Sequence, residues 1–151
     1  MKTIVLYSTR SGNTEKVAQA IASELNCPIF KITGSFDSSK INLDNYDLAF
    51  VGTGIYKGQP SSDMLNYLNG LTMQTRRKFA LFITCFGWGK NIVDKNVIDT
   101  IGAALEAKGQ KMLSNRFSFF GGGLGFVKRG HPDAVELAAA KKWARETVRE
   151  V

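Results

Sequence analysis

The sequence predicts an α/β fold class with a doubly wound, five-stranded parallel sheet. Two observations lead to this prediction. Short apolar runs recur along the chain, each with the length of a strand that is buried on both faces. Between these runs lie longer segments whose apolar residues recur at the spacing of an amphipathic helix. Because strands and helices alternate, we expect right-handed crossovers that make every strand parallel to its neighbours.

The predicted strands follow one another at regular intervals. They lie at 4–7, 29–32, 48–51, 79–83 and 111–120. Pro28 marks the entry to the second strand, and the polar connection 35–46 has room for a short helix before the third. Runs rich in isoleucine, valine, leucine and phenylalanine are typical of strands in the middle of a sheet.

Each predicted helix has one apolar face. The residues on these faces are Val17, Ala18, Ile21, Ala22 and Leu25 in the first helix, Met64, Leu65, Leu68 and Leu71 in the second, and Val97, Ile98, Ile101, Ala104 and Leu105 in the third. Ser61 or Ser62 can cap the second helix, and the third runs from about Asp94 to Lys108. The last helix begins at Asp133 and runs toward Val151, and Glu136 predicts a capping box at its start.

Length and composition indicate one globular domain over residues 1–151. The chain has 151 residues, of which 44% are hydrophobic, and no apolar run approaches the roughly 18 residues of a membrane span. The two cysteines, Cys27 and Cys85, lie far apart and make no metal-binding spacing. The first residues lead directly into a strand without a secretory signal. We therefore expect a cytoplasmic protein that binds no metal, and we expect a monomer.

The formal net charge of +7 is the unusual bulk property. The cations are dispersed along the chain and, outside the two loops discussed below, are not interleaved with aromatic residues, which argues against nucleic-acid binding. A positive surface instead favours encounter with an acidic protein, at a rate that falls as salt is added. The sequence therefore predicts a protein partner with an acidic docking surface and no nucleic-acid partner.

A short polar turn joins the first predicted strand to the first helix. It consists of Thr9, Arg10, Ser11, Gly12, Asn13 and Thr14. Free backbone N–H groups, the positive end of the helix dipole and short hydroxyls make such a turn a phosphate site. The turn lacks the lysine of a nucleotide P-loop and the three glycines of a dinucleotide fingerprint. We therefore expect it to bind one terminal phosphomonoester, held largely by neutral donors; the alternative is a plain helix cap.

The pattern Thr-x-Ser-Gly-Asn-Thr after the first strand resembles that of the flavodoxins, and the resemblance extends from Met1 to about Val151. It implies a sheet with the flavodoxin-like strand order 2-1-3-4-5, FMN as cofactor and redox proteins as partners. The fifth strand runs without interruption into a glycine-rich turn, which resembles the short-chain branch of the family. Most flavodoxins are acidic, so the basic charge departs from the family pattern.

The resemblance also assigns two loops to the flavin ring. Their predicted cofactor-binding residues are Thr53, Gly54, Ile55, Tyr56, Lys57 and Gly58 after the third strand, and Thr84, Cys85, Phe86, Gly87 and Trp88 after the fourth. Tyr56 is expected to stack on one face of the ring, with Trp88 favoured over Phe86 for the other. Flavodoxins flip a peptide beside the ring on reduction, and Gly58 tolerates the positive φ that such a flip needs. The Lys57–Gly58 peptide is therefore assigned that role.

Two functions remain open after these assignments. The first is an electron carrier that uses FMN, exchanges electrons with redox proteins and has no conventional catalytic residues. The alternative is an FMN-dependent oxidoreductase, such as a quinone reductase or a protoporphyrinogen-oxidising flavoprotein. An enzyme needs a substrate pocket over the ring, and the sequence shows no sizeable insertion to build one; the glycine-rich segment 121–126 leaves this alternative open. The carrier is the preferred prediction.

Overall fold

The computed structural model describes residues 1–85, 90–120 and 132–151, and within them a mixed sheet is flanked by four helices. The strands are β1 (Thr3–Ser8), β2 (Ile29–Lys31), β3 (Leu48–Tyr56), β4 (Gln59–Pro60), β5 (Lys78–Cys85), β6 (Lys111–Met112) and β7 (Phe117–Phe120). The helices are α1 (Asn13–Leu25), α2 (Ser62–Asn69), α3 (Lys90–Ala107) and α4 (Ala134–Glu150). Two short 3₁₀ turns, Ser38–Lys40 and Leu43–Asn45, occupy the polar connection before β3.

The strand order confirms the predicted topology. The main path through the sheet is β2-β1-β3-β5-β6, and all of these pairs are parallel. The strand β7 also pairs with β5 in parallel, further toward its carboxyl end, so β6 and β7 together fill the fifth position. The small strand β4 is an addition that pairs antiparallel with the end of β3.

The core lies in two layers, one on each face of the sheet. Successive side chains of a strand point to opposite faces, so Ile4 and Leu6 of β1 join one layer while Val5 and Tyr7 join the other. The first layer packs against α2 and α3 through Met64, Leu68, Val97, Ile101 and Leu105. The second packs against α1 and α4 through Val17, Ala18, Ile21, Ala140, Trp143 and Ala144. Helices on both faces make the sheet doubly wound, as predicted.

The prediction of an uninterrupted fifth strand is wrong, because residues 113–116 separate β6 from β7. In this break, the Asn115 side chain turns toward α4. Its Oδ1 accepts a hydrogen bond from the buried indole N–H of Trp143 at 2.9 Å, and its Nδ2 donates to Thr147 Oγ1 at 3.3 Å. A buried indole N–H needs an acceptor, and Asn115 supplies it from the break between the two strands. The interruption therefore satisfies a polar group of the core.

The helix boundaries agree with the predicted elements except at two ends. The helix α2 ends at Asn69, so Leu71, predicted on its apolar face, lies beyond the helix. The capping box is present: Asp133 accepts from the backbone N–H of Glu136, and the Glu136 carboxylate accepts from that of Asp133. The helix α3 begins at Lys90, ahead of the predicted start at Asp94. Among the described residues, no helix combines the length and the apolar character that crossing a bilayer requires.

Replacing Asn115 with alanine should lower the free energy of unfolding by about 1–3 kcal/mol, because the buried indole N–H of Trp143 then loses its acceptor. Urea unfolding followed by circular dichroism measures the loss. The matched background is Trp143→Phe, which keeps an aromatic ring but has no N–H. In that background Asn115→Ala should cost clearly less, and an equal cost in both backgrounds would show that the indole hydrogen bond contributes nothing.

Candidate functional site

The candidate site lies at the carboxyl edge of the sheet, where β1 and β3 are neighbours. The helix after β1 packs on one face of the sheet and the helix after β3 on the other, so a crevice opens between the two strand ends. The register pairs Ser8 with Thr53 across β1 and β3, and Gly54 with Thr84 across β3 and β5. The polar turn after β1 and the ends of β3 and β5, predicted as separate parts of one site, therefore lie side by side.

The polar turn after β1 has the backbone of an anion-binding turn. Gly12 adopts a φ of +88°, a left-handed conformation that a residue with a side chain rarely adopts. Its N–H donates to Thr9 Oγ1 at 2.9 Å, which leaves the Thr9 hydroxyl proton available as a donor. The helix α1 begins immediately after, at Asn13, so its first-turn N–H groups and the positive end of its dipole lie at this turn. Ser11 is exposed beside them.

Two buried threonines join this turn to the next strands. The hydroxyls of Thr14, in the first turn of α1, and Thr84, near the end of β5, lie 2.8 Å apart. Both were predicted to bind the cofactor directly. Because one hydroxyl of the pair donates to the other, a single hydroxyl proton remains for any further acceptor. The pair therefore fixes the start of α1 against β5.

A second buried hydroxyl cluster holds the other side of the site. Ser8 Oγ, at the end of β1, lies 2.7 Å from Ser61 Oγ, at the junction of β4 and α2. The Ser61 N–H donates to Thr53 Oγ1 at 2.9 Å, and the Thr53 hydroxyl donates to the carbonyl of Gly54 at 2.9 Å. Ser61 precedes α2 as the sequence predicted, but its hydroxyl makes no capping hydrogen bond. Thr53, predicted as a cofactor ligand, is fully buried and donates its hydroxyl proton within its own strand.

The segment predicted as a loop after the third strand is a strand and a tight hairpin instead. The strand β3 continues through Tyr56, which pairs with Gln59 of β4 across a two-residue turn. The turn residues Lys57 and Gly58 have φ values of +51° and +76°. Positive φ at both central positions is typical of the type I′ turn, whose twist matches that of its strands. Gly58 thus has the positive φ that its assigned role requires, and the peptide flip itself stays a prediction.

The phenol of Tyr56 reaches from β3 across to the polar turn. Its Oη accepts a hydrogen bond from the backbone N–H of Arg10 at 3.0 Å. The Arg10 guanidinium carbon lies 4.4 Å from the centre of the Tyr56 ring, which is a cation–π contact. A side chain on Gly54 would place its Cβ 2.6 Å from the Tyr56 oxygen, so the glycine makes room for the phenol. Arg10 therefore covers one face of the Tyr56 ring.

Several predicted residues have placements that add less to the site. Ile55 is half-buried and packs against the core layer that faces α2 and α3, and Cys85 is the last residue of β5. Phe86, Gly87 and Trp88 lie outside the described residues, as does the glycine-rich segment 121–126. The choice between Trp88 and Phe86 as second stacking residue therefore stays a prediction.

One titratable group next to the site has a shifted pKa. Tyr7 precedes the last residue of β1, and its hydroxyl donates to Glu15 Oε1 at 2.7 Å. Burial, together with the hydrogen bond and the negative charge of Glu15, raises the pKa of Tyr7 well above its usual range. The phenol therefore stays protonated at neutral pH and keeps this carboxylate in the first turn of α1 hydrogen-bonded.

The fold and the site together define a class of protein: a doubly wound α/β domain with a hydroxyl-rich turn and a helix N-terminus at its switch point. The family model described as the flavodoxin domain matches residues 4–119. This chain belongs to the flavodoxin domain family, as its sequence pattern indicated.

Comparisons with individual proteins agree with this membership. The uncharacterized protein MJ0298 of Methanocaldococcus jannaschii is 29% identical over 160 residues, which cover 99% of each chain. Oxidised Flavodoxin 1 from Bacillus cereus is similar in structure, with a TM-score of 0.73 and 19% identity over 100% of this chain and 99% of that one. The Fusobacterium nucleatum flavodoxin bound to flavin mononucleotide has a TM-score of 0.68 at 15% identity, covering 99% of each chain. At these identities the two structures show a shared fold.

Replacing Lys57 with asparagine should raise the free energy of unfolding by about 1 kcal/mol. An ordinary side chain in the left-handed region is strained, and asparagine tolerates this region far better than lysine. Urea unfolding measures the gain. Lys40→Asn is the matched control, since it removes the same charge at an exposed position without positive φ. An equal effect of both substitutions would contradict the assignment of strain to Lys57.

Proposed function

We propose that this protein binds FMN and carries electrons between redox proteins. One observation carries the proposal: the turn after β1 combines a left-handed glycine, hydroxyl side chains and a helix N-terminus at the point where the strand order reverses. A phosphate ester fits such a turn, and membership of the flavodoxin family supports FMN as the molecule that carries it.

The residues at the edge of the sheet suit the two halves of FMN. The hydroxyls of Thr9 and Ser11 and the first-turn N–H groups of α1 would hold the phosphate. The face of Tyr56 opposite Arg10 would stack against the flavin ring, and the hairpin turn at Gly58 would lie beside it. When bound, FMN supplies the redox chemistry, since a flavin takes up and releases electrons singly or in pairs.

Charge at this edge supports a protein partner with an acidic surface. Lys31 and Lys57 are exposed at or beside the carboxyl ends of β2 and β3. The carboxylate of Glu15 is half-buried and is hydrogen-bonded by Tyr7. These cations would steer a partner that presents carboxylates toward this edge of the sheet, so that the partner docks close to the flavin. The monomeric state, the single domain and the cytoplasmic location stay predictions of the sequence.

The first test is an FMN titration followed by anaerobic reduction. FMN fluorescence should be quenched at one equivalent, and the absorbance spectrum should then show reduction in two resolved one-electron steps. Reduction in a single two-electron step, together with turnover of a quinone by NADH or NADPH, would instead support the oxidoreductase alternative. No quenching by the wild-type protein would overturn the FMN assignment.

Two glycine substitutions, compared in the same FMN titration, distinguish a loss of binding at the turn from a general loss of stability. Gly12→Ala and Gly109→Ala both place a side chain at a positive φ, +88° and +71°, with nothing within 4 Å of the new Cβ. Both should cost about 1 kcal/mol of stability. Gly109 lies between α3 and β6 at the opposite edge, so only Gly12→Ala should weaken FMN binding, by about tenfold. Equal FMN affinities in the two variants would contradict the role of the turn.

A further inference from the structure

Arg10 is the feature of the site that the proposed function leaves unexplained. Its side chain is exposed, yet the guanidinium is held in one place, 4.4 Å from the centre of the Tyr56 ring. No carboxylate pairs with it in the part of the chain that the structure describes. A fixed cation without a counter-ion therefore lies within a turn whose other groups are neutral hydrogen-bond donors.

Three contacts fix the tyrosine that holds this cation. Tyr56 ends β3, and its backbone pairs with Gln59 of β4. Its hydroxyl is bound by the backbone N–H of Arg10, 3.0 Å away. Its oxygen end lies over Gly54, where any larger residue would collide with it. The ring is thus positioned by the strand, by the turn and by the space above Gly54.

The chemistry of a stacked guanidinium suits a phosphate ester. A guanidinium that lies on an aromatic ring makes the contact with its flat face and keeps the N–H donors at its edge directed outward. Those donors can bind two oxygens of one phosphate at the same time. The backbone N–H groups of Arg10 and Gly12 are already used by Tyr56 and Thr9. The side chain of Arg10 therefore adds donors and charge to a turn in which two amides are occupied.

We propose that Arg10, positioned by Tyr56, selects the phosphorylated flavin over riboflavin by binding the phosphate of FMN. This inference rests on the proposed function, since it takes FMN as the ligand. It adds a charged side chain to the expectation that the phosphate is held largely by neutral donors. It also gives Tyr56 a second role besides stacking, because the ring holds the guanidinium at the turn.

The test compares dissociation constants for FMN and riboflavin, measured by quenching of flavin fluorescence at low and high salt. In Arg10→Gln the FMN constant should rise about tenfold to a hundredfold, as expected for a lost charge-assisted contact, while that of riboflavin stays nearly unchanged. The salt dependence of FMN binding should become weaker in the same variant. Arg10→Lys keeps the charge but not the planar donors, so its dissociation constant for FMN should lie between those of the wild type and Arg10→Gln.

Tyr56→Leu tests the positioning role. If Tyr56 only stacks on the flavin ring, its replacement should weaken the binding of FMN and of riboflavin equally. If Tyr56 also positions Arg10, its replacement should in addition lower the ratio of FMN affinity to riboflavin affinity. Adding Arg10→Gln to Tyr56→Leu should then change that ratio little, because the two residues act as one unit. Lys31→Gln is the matched control: it removes an exposed cation from the same edge and should leave the ratio unchanged. Thermal unfolding without flavin shows whether each variant is folded.

The outcomes separate this inference from the proposed function. A wild-type protein that prefers FMN, with the preference lost in Arg10→Gln, supports both. A preference for FMN that survives in Arg10→Gln overturns the role of Arg10 and leaves FMN binding intact. Equal affinities of the wild type for FMN and riboflavin also overturn the proposal that Arg10 selects FMN, although the protein would still bind a flavin. A wild-type protein that binds neither flavin overturns the proposed function, and the role of Arg10 with it.

Discussion

The position of β1 in the middle of the sheet is the constraint on which the site depends. The strand β1 pairs in parallel with β2 on one side and with β3 on the other. The chain therefore continues from the end of β1 toward one face of the sheet, and from the end of β3 toward the opposite face. Within residues 1–85, 90–120 and 132–151, no helix covers the edge between these two strand ends. The turn 9–14 and the hairpin 57–58 therefore face each other across the same crevice, although they are far apart in sequence.

Buried hydroxyl pairs then make this crevice rigid. A hydroxyl taken out of water costs free energy unless it finds a partner, so the pairs Ser8–Ser61 and Thr14–Thr84 are satisfied only when the strands and helices that carry them are in register. Each pair ties the end of a strand to the start of a helix. The folded protein itself consequently shapes the turn at Gly12, so a ligand that binds there loses less free energy in ordering the turn.

The sequence predicted what depends on local pattern and missed what depends on distant partners. The buried runs and the capping box at Asp133 carry their signal within a few residues, and the structure confirms them. Gly52-Thr53-Gly54 suggests a loop, since glycines are rare in strands; it is strand because Gly52 packs under the ring of Phe82 and Gly54 under Tyr56. Tyr56 is only two residues from Gly54, whereas Phe82 lies in β5 and is not identifiable from the segment itself.

The partners that organise the site have no local signal at all. Ser8 and Ser61 are 53 residues apart, and Arg10 and Tyr56 are 46 apart. A serine before a helix suggests a cap, and an arginine in a polar turn suggests a solvated charge. The sequence pattern therefore identifies polar residues near the site but does not show which of them contact each other. The break at Asn115 is of the same kind, because only the packed position of Trp143 creates the need for an acceptor there.

The cations at the edge of the sheet divide into two groups by the way they are held. Both are exposed, but Arg10 stacks on the Tyr56 ring, whereas Lys57 lies at the tip of the hairpin. Lysine is a poor choice for a left-handed position, where glycine or asparagine would be less strained. A strained lysine at that tip therefore adds positive charge that the turn geometry does not require. The charge held on the Tyr56 ring and the charge at the tip of the hairpin thus lie on different residues, and a substitution can change one without changing the other.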